Sequence, residues 1–533
     1  MTATPPVPQA PILDQPLFKG PSDRKVWTWI GIIAILTVYA AAISPHWWIG
    51  HDSALYLTLA RNLADGRGYT LAGQPHTHVP PGFPLFLAGL NKMGAGGFLA
   101  LNSVMCLLGL ATLALVFLLL RRLVHRDWAF VLTVVLGLSN EMLQRSGEIL
   151  SDVPFMLLVT AALLLCYRGW AKDRPAPLVW ELASLLLVAC CWFRAAGLPL
   201  VLGAVLGLAL AARGKARLRA AANAAAVCTL LAVCLVMAYQ YIQADAQPTA
   251  GSYTGSLKRL LADKSVLQLL AQTLAHFYAA SGQLSRLLVV QRLPLWLCMI
   301  LWVVPIAWGM VLRMKRGDFI GPITVAVYVA GLSMASALPR TRYFLPIAPL
   351  LLLYLVEGWA WLVSRVTRKP IVASFWGAGL MIVLLAFNLP LVGRNIYQKH
   401  RHDAFASQQD GKWRDSIAAG EFLSAMAPID GNVLAEQVVG YLSRADCPAV
   451  SAAFQNAPPP PEELEWFLRR QRIAYVTVDT RKPAPLDSQL QALLAPQGPP
   501  VFTHGSLQLY RFKPSPASQS TTPQTRQAST ERD

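Results

Sequence analysis

Eleven stretches of this chain run apolar with almost no charge: 25–43, 97–120, 128–143, 153–166, 177–193, 197–212, 221–242, 294–312, 319–338, 344–363 and 371–392. A bilayer-spanning helix needs about 20 mostly apolar residues. The pattern therefore predicts a polytopic α-helical membrane protein of about eleven transmembrane helices, with 128–143 and 153–166 the shortest. The region 177–212 is too long for one pass. An arginine at the bilayer centre costs at least about 2.5–3.5 kcal/mol, so Arg194 is expected at a water-facing turn between two helices.

The pattern changes after Val392. Residues 413–426 read as a helix, 432–436 as a strand, and 462–470 as a helix after the proline break at 458–461. IAYVTV at 473–478 reads as a buried strand and 505–512 as a closing strand. Residues 393–513 thus predict a small C-terminal extracytoplasmic α/β domain, and 514–533 a Ser/Thr/Gln/Pro-rich disordered tail. Residues 1–24 read as a disordered cytoplasmic tail, and 25–392 as the membrane domain. That domain has outer loops at 44–96, 144–152 and 243–292, the last with leucines spaced at 266–277 for an amphipathic lid on the membrane face.

Composition agrees. Of 533 residues, 55% are hydrophobic and 14% charged, against about 25% charged in a soluble domain. Every second junction is basic, from Arg24/Lys25 through Arg121/Arg122/Arg126 and Arg313/Lys315/Arg316 to Arg365/Arg368/Lys369. Retained Lys and Arg mark the cytoplasmic side. The N-terminus is then cytoplasmic and the C-terminus extracytoplasmic, in the plasma (inner) membrane. The net charge of +18 reports this topology and argues against a nucleic-acid partner. The eight cysteines have neither a disulfide framework nor zinc spacing.

Polar residues on the outer side carry the candidate chemistry. Asp52 and Tyr56, four apart, share a helix face above Leu59 and Leu63. By spacing alone Asp52 reads first as an N-cap and, as the alternative, as a base for an attacking hydroxyl. Glu148 and Asp152, in SGEILSDVPF, are two carboxylates at a membrane boundary, and Asp152 before Val-Pro is also a good cap. Arg194 and Arg342-Tyr343 are basic where the charge rule expects little. A phosphate, or lipid headgroups reached by snorkelling, would hold them there. His76 and His78 form a weak metal or phosphate signal on a turn-rich loop. No motif demands a cofactor, and a divalent metal on the carboxylates stays open.

As a set, these pieces resemble the GT-C type membrane glycosyltransferases. The likeness is to family 39-like enzymes, relatives of the protein O-mannosyltransferases and lipid A aminoarabinose transferases. It rests on the Asp52–Tyr56 helix, the GRGYT…PPGFPLFLAG loop, SGEILSDVPF, Arg194 after an apolar span, and RYFLP at 342–346. Those aminoarabinose transferases carry a lysine near the proline corner, whereas this sequence has His78.

The resemblance implies a polyprenyl-phosphate-sugar donor and a lipid, glycan or protein acceptor, with membrane lipid around them. It also implies Asp52 as base, Asp152 (with Glu148 near it) as a second acidic site, and Arg194 and Arg342 facing the donor phosphate. Asp52, Asp152, Arg194 and Arg342 are then expected on one outward-facing cavity. The alternative is a transporter or flippase for a lipid-linked anion. That class usually shows internal repeats and midplane charges; this sequence has no visible internal repeat and almost no charge within the spans.

Overall fold

The computed structural model describes residues 12–18, 20–71, 74–76, 79–170, 177–211, 222, 224–229, 233, 266–289, 293–334, 340–368, 370–401, 412–426, 429–435, 437–444, 447, 458–481 and 483–513. The chain divides into two compact units. One comprises Met1–Trp48, Thr77–Pro248 and Ser252–His402; the other comprises Ile49–His76, Thr249–Gly251 and Asp403–Asp533.

The first unit is a helical membrane domain. Among the described residues six helices are long and apolar enough to cross a bilayer: Pro21–Ala42, Phe98–Leu120, Asp152–Gly169, Leu295–Lys315, Thr341–Thr367 and Phe375–Lys399. Leu178–Phe193, Gly197–Ala211 and Ile320–Met334 are shorter apolar helices. The expected pass at 221–242 falls mostly outside the described residues. The expected pass at 128–143 is instead two helices, Arg126–Gly137 and Asn140–Ser146, because the Ser139 hydroxyl accepts from the Met142 amide and starts a new helix. A good N-cap overrides a run that hydropathy alone would continue. Val266–Val289, inside the expected lid segment 243–292, is a helix that continues past the leucine spacing at 266–277. Leu267, Leu270 and Leu274 are exposed near its start, while Leu284, Leu287 and Leu288 are buried near its end.

Backbones meet closely where glycine allows it. A Cβ on Gly358 would lie 2.0 Å from the Pro305 carbonyl oxygen, and one on Gly309 2.1 Å from that of Tyr354. The Leu295–Lys315 and Thr341–Thr367 helices therefore touch through small residues, as membrane helices commonly do. Pro305 also lacks the N–H that would serve the Leu301 carbonyl four residues back. A π turn at Met299–Val303 precedes it, and the indole of Trp359 donates to Leu301 O at 3.1 Å. A backbone acceptor in an apolar setting needs such a donor.

Charge sorts to the two ends of this unit. At the basic end, buried Asp127 receives Arg24 Nε at 2.8 Å and the amides of Leu17 and Phe18. Buried Glu357 receives Arg313 Nε at 2.8 Å and Arg316 at 3.1 Å. The other end is the candidate site.

The second unit is a three-layer α/β domain with a four-stranded sheet. Its strand order is Asn432–Leu434, Ile473–Asp479, Leu507–Arg511, Phe502–His504; the first pair is parallel and the others antiparallel. One face packs Ile473, Val476, Val478 and Tyr510 under the Pro461–Arg470 and Pro485–Leu494 helices. The other packs Val433, Tyr475, Leu507 and Leu509 under Lys412–Ala425 and Gln437–Ser443. Gly505, at φ 56°, makes the hairpin turn, where Asp415 accepts from Ser506 N and His504 Nδ1. The sequence marked one closing strand at 505–512; the structure has a hairpin.

The helix His51–Ala64 belongs to this second unit, not to the membrane helices. Arg61 Nη1 donates to Tyr441 O at 3.3 Å, and burial raises the Tyr441 hydroxyl above its usual pKa against the nearby Arg61. The GRG turn that follows has φ of 75° at Gly66 and 77° at Gly68, values open to glycine at little cost. It leads into the hairpin Thr70–Leu71/Gln74–Pro75.

Candidate active site

Three local breaks in helix structure bring the polar end of the membrane unit together. The first is at Arg194. The helix Pro177–Phe193 ends there and Gly197–Ala211 begins three residues on, with Gly197 N–H donating to Arg194 O at 2.9 Å. A Cβ on Gly197 would lie 2.7 Å from the Cys190 carbonyl carbon, so only glycine fits the turn. The break expected from the cost of burying Arg194 is present.

The second break is SGEILSDVPF. Asp152 is the first residue of the helix Asp152–Trp170, so the cap position falls one residue earlier, on Ser151. The carboxylate instead pairs with Arg194 Nη1 at 2.6 Å, and Arg194 also donates to Ser151 Oγ at 3.3 Å. Asp152 is 2% exposed on its side chain and Arg194 13%. Glu148 is buried as well, holding Gln144 Nε2 at 2.8 Å and Arg145 at 2.5 Å, while Arg145 reaches Glu141 at 2.8 Å. Burial would lower the Arg145 pKa, but Glu148, Glu141 and Asp152 together hold it above its ordinary value.

The third break is a 3₁₀ turn, Thr341–Ile347. Pro346 supplies no N–H and keeps this stretch from joining the helix that starts at Ala348. Tyr328 Oη fixes the turn by donating to Tyr343 O at 2.8 Å, and Thr341 Oγ1 fixes it to Gln283 at 2.8 Å. Tyr343 then presents its ring to two guanidinium groups, Arg194 at 5.2 Å and Arg342 at 5.4 Å from the ring centre. Both distances lie within the reach of cation–π attraction.

The proline corner supports the same region. Gly82 begins the helix Gly82–Lys92, and a Cβ there would lie 2.7 Å from Trp192 O and 2.9 Å from the Phe193 ring. The corner thus lies against the two residues that precede Arg194.

Asp152, Glu148, Arg194, Arg342 and Tyr343 are therefore brought together in one unit. Asp52 and Tyr56 lie in the other. Asp52 is not the N-cap: Gly50 holds that place, with Ser53 Oγ donating to its carbonyl at 2.8 Å, and Asp52 is the second helical residue. Tyr56 is buried one turn on. His76 is buried beside Tyr69, its amide bonded to Tyr69 O at 2.9 Å, while His78 lies outside the described residues. Among the described residues no group of three or more His, Cys, Asp or Glu is placed to hold a metal.

Sequence reasoning missed Arg145 and Lys399. Lys399 is 3% exposed at the end of the last described membrane helix, its Nζ 3.4 Å from Leu143 O and 5.9 Å from the Trp48 ring centre. The signal was available, since both are bases on the side where the charge rule expects few.

No protein-family model and no curated protein matches this chain. Solved structures do. ArnT from Cupriavidus metallidurans in the apo state aligns at TM-score 0.57 and 12% identity over 92% of this chain and 98% of that one. The fold is that of the GT-C membrane glycosyltransferases. ArnT bound to undecaprenyl phosphate aligns at TM-score 0.56 and 12% identity, covering 91% and 98% of the two chains. The Archaeoglobus fulgidus oligosaccharyltransferase AglB, in complex with an inhibitory peptide and a dolichol-phosphate, aligns at 0.55 and 11%, covering 86% and 70%. The GT-C fold of a multi-pass membrane domain with a C-terminal soluble domain is common to all.

Proposed function

We propose that this protein is a membrane glycosyltransferase that moves a sugar from a polyprenyl-phosphate carrier to an acceptor hydroxyl on the outer, periplasmic side of the inner membrane. The observation that carries this reading is the Tyr343 ring shared by Arg194 and Arg342. Two fork-shaped cations on one rigid ring make a receptor for an anion with several oxygens. Undecaprenyl phosphate and dolichol-phosphate, bound by solved proteins of this fold, are anions of that kind.

In this reading Arg194 and Arg342 hold the phosphate. The acceptor oxygen attacks the anomeric carbon, and its proton passes to the Asp52 carboxylate. The bond from that carbon to the phosphate oxygen breaks with its electron pair leaving on the polyprenyl phosphate. A phosphate is already a good leaving group, so positioning, proton removal and stabilisation of the departing anion suffice. One displacement inverts the anomeric centre. Asp152, buried on Arg194, acts through that arginine as a positioning residue. Glu148 does the same for Arg145. Tyr56 and His78 are proposed to contact substrate.

The test is mass spectrometry of glycolipids and glycoproteins from a strain lacking this protein, followed by transfer with purified protein and a polyprenyl-phosphate sugar. Loss of one glycan in the strain and its restoration in vitro support the reading. A full set of glycans in the strain, with no transfer in vitro, overturns it.

A further inference from the structure

The basic end of the membrane unit carries a groove that the proposed transfer does not use. Three helices each turn one face to it: Thr28, Ile32 and Ile35; Leu110, Leu113 and Phe117; Arg126, Phe130 and Thr133. Their spacing of three and four residues is that of single helix faces. Its volume is about 370 Å³, within the range of about 300–1,000 Å³ for small-molecule sites. Leu36, half exposed, and Ala114 line its open side. Gly31 lets Phe130 pack against the first helix, since a Cβ there would lie 2.6 Å from Phe130 Cζ.

One end of this apolar trough is charged. Arg24, Arg126 and Asp127 line it, and Arg121 sits 5.6 Å over the Phe117 ring centre. Asp127 is 1% exposed and already accepts from Arg24 and from two backbone amides. Its charge is matched inside the protein. Arg121 and Arg126 are exposed, so the rim is net positive.

We propose that this groove binds one anionic membrane phospholipid, an acyl chain lying along the apolar faces and the phosphate on Arg121 and Arg126. An apolar chain and an anionic head match both parts of the site, and basic pockets between membrane helices commonly take such heads.

The test uses delipidated full-length protein titrated with phosphatidylglycerol or phosphatidylcholine and read by native mass spectrometry. One phosphatidylglycerol should be retained at least about tenfold more tightly than phosphatidylcholine, the worth of one charge-assisted hydrogen bond. The double variant Arg121→Gln/Arg126→Gln should lose the preference. Ala114→Phe, on the open side, should keep the arginines yet lose the bound lipid by filling the trough. Equal retention of both lipids, or a preference that survives either variant, overturns the proposal. So does displacement of phosphatidylglycerol by an equal concentration of polyprenyl phosphate, which would give the groove to the carrier lipid.

Discussion

Arg194 and Asp152 form an ion pair of 2.6 Å between the turn that ends one helix and the first residue of another. The carboxylate is almost fully buried, so its charge is tolerable only with that partner. The pair fixes the guanidinium that lies over Tyr343.

Removing one partner should cost far more than removing both. Arg194→Leu leaves a buried carboxylate unmatched and is expected to lower stability by about 3 kcal/mol. Adding Asp152→Asn should recover most of that loss. Thermal unfolding of the two single variants and the double variant in detergent gives the coupling directly; additive losses would mean that the pair does not hold the turn.

Gly82→Val should disturb the site from outside it. The new side chain meets the Trp192 backbone, which has little room to yield. Overpacking of this kind costs about 1–3 kcal/mol. Transfer by the variant should fall more than its folded fraction does, because Arg194 follows two residues later. Activity that tracks the folded fraction alone would detach the proline corner from the site.

Trp359→Phe removes the donor to Leu301 O and should cost about 1–3 kcal/mol, the penalty of an unmatched buried acceptor. In a Pro305→Ala background the helix regains an N–H at that position, so the same change should be nearly silent. Equal losses in both backgrounds would show that the indole stabilises by packing alone.

Much of this architecture was legible in the sequence because it follows from hydropathy and charge. The turn at Arg194 follows from the cost of a charge in lipid, and IAYVTV announces a buried strand by composition. The break at Ser139 was not legible, since one cap residue inside an apolar run is outvoted in any window. Nor were the partners of Asp127 and Glu357, which lie 103 and 44 residues away on Arg24 and Arg313. The site was half legible: Asp152, Arg194 and Arg342 stood out as charges at a membrane edge. That Tyr343 would serve both arginines depends on a 3₁₀ turn that only packing defines. The grouping of the Asp52 helix with the C-terminal domain had no local signal, because it joins segments more than 300 residues apart.

Asp52→Asn separates chemistry from helix stability. Gly50 holds the cap, so the change leaves the cap in place and removes a favourable first-turn charge, worth about 0.3–1 kcal/mol. Loss of a general base should lower transfer by roughly 10²–10⁴-fold. Near-normal transfer by folded Asp52→Asn protein would remove Asp52 from the mechanism.

The claim that Arg194 and Arg342 receive the carrier phosphate is tested most directly by equilibrium binding of a labelled polyprenyl phosphate to the purified full-length protein and to Arg342→Gln. Arg342 is the better choice because Arg194 also neutralises Asp152. The account predicts saturable binding by the unmodified protein and binding at least about tenfold weaker in the variant, the worth of one charge-assisted hydrogen bond, in protein that still unfolds cooperatively on heating. Equal affinity in the two proteins, or no saturable binding in either, would contradict it.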